Sequence, residues 1–207
     1  VETGTYKGIN ARLYSKNFKL VFTCENNNAY YKQAKENFNY YPHYQNIIIK
    51  NESSPDFLKH LSLNKYIFYL DAHFYRADVP KKDRFIIFKE LDNMKKFKDS
   101  VIIIHDFDNG LGHITYDGID LNMDLLRKRL WLINKDFYFY TNTLEGCEPV
   151  KSNARDIRNA GLQVDFDTLD NLDYAWSSPR LTYRGILYCL PTKLNNIELK
   201  KLGLRKL

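Results

Sequence analysis

Four short segments of this chain end apolar runs with residues able to do chemistry. Val1-Glu-Thr-Gly-Thr-Tyr-Lys-Gly8 reads as a strand end running into a tight glycine turn and then a helix. Leu20-Val-Phe-Thr-Cys-Glu25 ends in a carboxylate seventeen residues after Gly8. Tyr66-Ile-Phe-Tyr-Leu-Asp71-Ala-His73 and Val101-Ile-Ile-Ile-His105-Asp106 repeat the pattern. Open α/β sheets put ligand chemistry at the carboxyl ends of their strands, so the four together indicate a nucleoside-type cofactor site.

Each group has a role that its type suits. Gly4 and Gly8 frame the first turn with G-x-x-x-G spacing, which is not the dinucleotide fingerprint G-x-G-x-x-G. Without a side chain at Gly4 the backbone can approach a ligand, and Gly8 lets the next helix pack close. Glu2 stands where a carboxylate can accept from a ligand ammonium. Glu25 can accept from both hydroxyls of a ribose. Asp71 can bind a hard cation or orient a substrate, and His73 can act as a general base near neutral pH. Asp71, His105 and Asp106 can converge on one divalent ion. Their mixed oxygen and nitrogen donors suit Mg²⁺, Mn²⁺ or Fe²⁺ better than Ca²⁺. A two-histidine, one-carboxylate iron site from His73, His105 and one Asp is a variant. The alternative for this pair is structural, with Asp106 capping a turn and His105 in the core. Asp108-Asn109-Gly110-Leu111-Gly112-His113 and Tyr116-Asp117-Gly118 read as a mobile loop over the site or a plain turn-rich connection. His43 and His60 read as surface residues.

Alternating helix and strand signals must position these groups. The apolar patterning predicts a short helix over Asn10–Ser15 and strands over Lys19–Cys24, Asn46–Lys50 and Tyr66–Leu70. Helices are expected over Asn28–Asn37, from Ser54-Pro55-Asp56 with Ser54 as cap, over Pro80–Phe97 and over Leu121–Ile133. Val101–Ile104, Phe137–Thr141 and Gly185–Leu190 complete the strands, and Cys147–Tyr183 is irregular and polar. The pattern predicts a three-layer, Rossmann-like α/β fold. Its sheet is expected to be mostly parallel and seven-stranded, with Gly185–Leu190 an inner strand and one antiparallel strand near the C-terminus. Residues 1–207 read as a single domain, whose first strand is expected to begin upstream of Val1.

Composition narrows the class. The 207 residues are 44% hydrophobic and 27% charged, ordinary for a soluble globular chain. Aromatics reach 15%, and their abundance beside many Asn, Lys and Ile residues reads as compositional drift ahead of a nucleic-acid stacking surface. The net charge of +6 permits an anionic partner without demanding one. Its densest clusters are Lys81-Lys82, Lys95 to Lys98 and the tail from Lys200 to Lys206. Three cysteines, Cys24, Cys147 and Cys189, with no CxxC spacing favour a reducing compartment over a disulfide framework or zinc site. No run is long and apolar enough to span a bilayer. The expectation is a soluble, cytoplasmic protein.

These residues resemble the class I S-adenosylmethionine-dependent methyltransferases over roughly Val1 to Leu130. Glu2-Thr-Gly4-Thr-Tyr6-Lys-Gly8-Ile-Asn10 is similar to the E-x-G-x-[YF]-x-G-x-[SN] turn of catechol-type, metal-dependent O-methyltransferases. The placing of Asp71 with His73, and of His105 with Asp106, also resembles the macrocin and cephalosporin-type enzymes. The resemblance implies that Glu2, Gly4, Thr5, Tyr6, Gly8, Glu25, Ser53 and Asp71 bind S-adenosylmethionine. It implies further that Asp71, His105 and Asp106 hold a divalent cation such as Mg²⁺, and that His73 and Asp71 are catalytic. Two positions depart from the catechol-type pattern. Phe74 replaces the lysine three positions after the metal Asp, and His105 stands where a carboxylate is usual.

The implied activity is methyl transfer to a hydroxyl of a small molecule or sugar. A homo-oligomer is compatible with the sequence. The contrasting reading is a non-enzymatic basic α/β module for nucleic acid or assembly. Strand-end carboxylates count against it because they repel phosphate. A nicotinamide-dependent oxidoreductase is disfavoured by the glycine spacing.

Overall fold

The structure is a computed structural model that describes residues 1–40, 42–72, 85–110, 120–143 and 185–207. In chain order the elements are β1 (Glu2–Thr3), α1 (Ile9–Ser15), β2 (Val21–Cys24), α2 (Asn28–Tyr40), β3 (Ile47–Lys50), α3 (Ser54–His60) and β4 (Ile67–Leu70). They continue with α4 (Ile86–Asp92), β5 (Val101–Ile104), α5 (Met123–Ile133), β6 (Tyr138–Asn142), β7 (Leu187–Leu190), α6 (Asn196–Leu202) and β8 (Leu204–Lys206). The sheet order is β3-β2-β1-β4-β5-β7-β6-β8. Its first five strands follow the doubly wound order and its first four pairings are parallel.

The described residues divide into two compact units. The first comprises Val1–Ile104, Met123–Tyr138 and Cys189–Thr192; the second comprises His105–Asn122, Phe139–Tyr188 and Lys193–Leu207.

In the first unit, β-branched and aromatic runs form the parallel strands. Val21 pairs with Ile47 and Cys24 with Lys50, and Leu70 stands opposite Ile104. Ala11 of α1 and Ala34 and Phe38 of α2 pack with Val21, Tyr44 and Ile47 in one apolar cluster. On α5, Leu126, Leu130 and Ile133 recur at helical spacing and are buried. The cap of helix α3 lies one residue earlier than expected. Ser53, not Ser54, is the N-cap, and its Oγ accepts from the Asp56 backbone N–H. The helix expected over Pro80–Phe97 is Ile86–Asp92 in its described part; residues 80–84 lie outside the described residues. It stops because Asn93 donates its side-chain amide to Pro55 O and Lys89 O, each at 3.1 Å. Met94 and Phe97 remain buried, but in tight turns.

In the second unit, β6 and β8 pair antiparallel, with Thr141 opposite Arg205. Asn195 and Glu198 form a reciprocal capping box on α6, and Gly203 ends that helix in the left-handed conformation (φ 61°). The expected sheet has seven strands; among the described residues it has eight, and β8 is the additional one. Three residues, two of them basic, are too short and polar a run to stand out as a strand, and pairing with β6 supplies what propensity lacks. The expected inner strand is β7, which lies between β5 and β6 in the sheet order.

Candidate active site

The first turn is built by backbone strain and close approach. The N–H groups of Gly4 and Thr5 both donate to Cys24 O, at 3.1 and 3.0 Å, so the chain leaves β1 hooked onto the end of β2. Gly4 has φ 82°, and a Cβ there would lie 2.6 Å from Asp71 O and 2.9 Å from Ala72 Cα. The space a side chain would fill at Gly4 is thus taken by the backbone that follows β4. Gly8 caps α1, and an added Cβ would run into the ring of Phe38 on α2. Between them Tyr6, a non-glycine, also has positive φ (50°). Such outliers concentrate where a site is preorganised.

Glu25 holds that strained residue in place. Its Oε2 accepts from Tyr6 N at 2.8 Å and its Oε1 from Asn27 N at 2.7 Å, while Asn51 Nδ2 donates to its backbone oxygen at 2.7 Å. Each carboxylate oxygen keeps acceptor capacity beyond one bond. The side chain is thus oriented by backbone and still able to accept from a pair of hydroxyls. Beside it the half-exposed Tyr6 ring meets Tyr30 edge-on, with centroids 4.6 Å apart.

Glu2 and Thr5 are buried side chains. Glu2 accepts from Thr23 Oγ1 at 2.7 Å, and Thr23 Oγ1 lies 2.5 Å from Thr5 Oγ1. The two threonine hydroxyls thus share a hydrogen bond beside the Glu2 carboxyl. Burial pushes the Glu2 carboxyl up to about 8; repulsion by Asp71 adds to this and the Thr23 hydrogen bond opposes it. Glu2 is therefore largely neutral at pH 7. Ser53 is partly buried, and its hydroxyl also donates to Asp56 Oδ2.

The strand-end acids and His105 follow from the β4–β5 register. Leu70 and Ile104 are paired, so Asp71 is the first residue beyond β4 and His105-Asp106 the first two beyond β5. The Asp71 N–H donates to Thr3 Oγ1 at 3.2 Å, which ties it to β1. His105 Nδ1 lies 3.3 Å from Asp106 Oδ1. Asp106 is buried with φ 55°, a second non-glycine in the left-handed region. Asp108 Oδ1 accepts from Gly110 N at 3.0 Å. His73, Phe74, residues 111–119, with His113, Tyr116, Asp117 and Gly118, and residues 147–183 lie outside the described residues. His43 and His60 are exposed, as expected, and Cys24 and Cys189 are buried free thiols.

Three polar groups escaped sequence reading. Thr23, Asn142 and Arg205 lie within short strands whose alternation marks no chemistry, and only their tertiary partners reveal them.

No protein-family model and no curated protein sequence matches the chain. Solved structures do. One, assigned as a sarcosine dimethylglycine methyltransferase from Galdieria sulphuraria, superposes with a TM-score of 0.53 at 16% identity, over 91% of this chain and 76% of that one. The plantazolicin methyltransferase BamL, solved with a triazolic desmethylPZN analog and SAH, gives 0.50 at 14% identity, over 92% and 76%. The chain shares its fold with these two methyltransferases. The mostly parallel α/β arrangement and the antiparallel pair near the C-terminus agree with the Rossmann-like expectation. Among the described residues, no helix is long and apolar enough to cross a membrane.

Proposed function

We propose that this protein transfers a methyl group from S-adenosylmethionine to a hydroxyl of a small molecule or sugar, with a divalent cation assisting. The observation that carries the reading is Glu25, held at the end of β2 by the N–H groups of Tyr6 and Asn27 beside the Gly4 turn. The donor chemistry fits the cofactor: a fixed carboxylate with spare acceptor capacity matches two ribose hydroxyls. Gly4, Thr5, Tyr6 and Gly8 supply the turn, and Glu2 supports it from beneath. Ser53 follows β3, at the same end of the sheet. The plantazolicin enzyme, with which this chain shares a fold, holds SAH.

Asp71, His105 and Asp106 would hold the cation. Two carboxylates and an imidazole suit Mg²⁺, Mn²⁺ or Fe²⁺, and His105 and Asp106 lie side by side, Nδ1 3.3 Å from Oδ1. S-adenosylmethionine would supply an electrophilic methyl, and a cation held by these residues would supply positive charge beside the acceptor hydroxyl. The chain's own residues position the partners and exclude water. His73, two positions beyond Asp71, takes the proton from the acceptor hydroxyl. The protein is read as cytoplasmic.

Transfer of a labelled methyl group to a panel of sugars and small hydroxylated compounds tests this. Activity should vanish with a chelator and return with Mg²⁺ or Mn²⁺. His73→Ala should slow turnover by about 10²–10⁴-fold, and Asp71→Ala and Asp106→Ala should abolish it. Full activity in excess chelator removes the cation and leaves His73 and Asp71 as the catalytic pair.

A further inference from the structure

We propose that Asn142 is a positioning residue for the His105–Asp106 pair, fixing the segment that keeps Asp106 in its left-handed conformation. The inference rests on the cation reading above. A non-glycine residue at φ 55° costs of order 1–3 kcal/mol and persists only where its surroundings over-determine it. The three residues after Asp106 show how. Phe107 N donates to Gly185 O at 2.9 Å, and Asp108 N to Leu121 O at 2.8 Å. Asn109 Nδ2 donates to Asn142 Oδ1 at 3.0 Å. Three consecutive residues are thus anchored to three different segments.

Asn142 is where two of these anchors join. Its Oδ1 also accepts from Ile186 N at 2.9 Å, next to Gly185. One amide oxygen therefore fixes both the loop and the segment that the loop is tied to. Gly185 leaves no latitude, because an added Cβ would overlap Phe107 O. Both asparagines are buried, Asn109 at 4% and Asn142 at 6% exposure, so these bonds are shielded from exchange with water. From β8, Arg205 Nη2 donates to Asn109 O at 2.5 Å, placed there by the pairing of Arg205 with Thr141. Directional bonds of this kind specify an orientation, which a ligand pair needs and packing alone does not provide.

The test titrates the full chain with Mn²⁺ alone and, separately, with S-adenosylhomocysteine, by calorimetry. Asn142→Ala should weaken Mn²⁺ binding by about 10–100-fold, as losing a residue that orients a ligand does, with S-adenosylhomocysteine affinity unchanged. Asn142→Asp keeps the acceptor for Asn109 and Ile186 and should restore most of the Mn²⁺ affinity. Arg205→Ala, at an exposed position, should weaken it in the same direction and by less. Wild-type Mn²⁺ affinity in folded Asn142→Ala and Arg205→Ala overturns the inference and leaves the cation reading standing. Equal losses of Mn²⁺ and S-adenosylhomocysteine affinity also overturn it. A wild-type chain that binds S-adenosylhomocysteine but not Mn²⁺ overturns both the cation and this role. Should Asn142→Ala fail to fold, Asn142→Asp and Arg205→Ala decide the matter.

Discussion

The backbone N–H of Tyr6 donates to Glu25 Oε2 at 2.8 Å, so the glycine turn after β1 and the carboxylate after β2 are one unit. Glu25 thereby has two tasks that substitution can separate. Glu25→Gln keeps an acceptor oxygen for one of the two backbone N–H groups, whereas Glu25→Ala removes both. Losing a charge-assisted hydrogen bond costs roughly 1.5–3 kcal/mol, about 10- to 150-fold in affinity. Calorimetry should show Glu25→Ala weakening S-adenosylhomocysteine binding by that factor, with Glu25→Gln intermediate. Unchanged affinity in folded Glu25→Ala rules out the ribose role.

Gly4→Ala should damage the protein through its backbone. The left-handed conformation costs an L-residue roughly 1–2 kcal/mol, and the new Cβ would press on Asp71 O and Ala72 Cα. Thermal unfolding should fall by at least about 2–4 °C, the shift that 1 kcal/mol produces at this size. Wild-type thermal stability in this variant contradicts the close approach.

Glu2 should make stability fall as pH rises. Folded Glu2 keeps its proton up to about pH 8, whereas the unfolded chain releases it near 4.5. Between those values the folded state binds more protons. The Glu2 contribution is therefore fully present below 4.5 and is lost as pH rises through 8, at about 1.4 kcal/mol per pH unit. Asp71, Glu25 and the Val1 amino group act on it from nearby. Glu2→Gln should flatten the profile in denaturant titrations between pH 5 and 8. Parallel profiles for the two proteins refute the buried, neutral carboxyl.

Strand positions were legible where local pattern and tertiary demand agree. Val101–Ile104 matches its expected bounds because an all-apolar run suits a parallel strand covered on both faces. The strand-end placement of Glu25, Asp71, His105 and Asp106 was legible because each follows a strand-forming run. The tertiary roles of Gly4 and Glu2 were not. A sequence shows that Gly4 lacks a side chain but not that Asp71 O fills the space, and it shows a carboxylate at Glu2 but not Thr23 beneath it. Helix α4 was overextended because Met94 and Phe97 keep helical spacing while lying in turns, and only the Asn93–Pro55 contact marks the stop. The Asn109–Asn142 bond spans 33 residues and leaves no local trace.

Calorimetric titration of the chain with S-adenosylmethionine, NAD and a short oligonucleotide tests the central claim most directly. The account predicts saturable binding of S-adenosylmethionine at one site per chain, lost or strongly weakened in Glu25→Ala, and no comparable binding of NAD. Binding of the oligonucleotide with no response to S-adenosylmethionine would contradict it and assign the fold to a basic binding module.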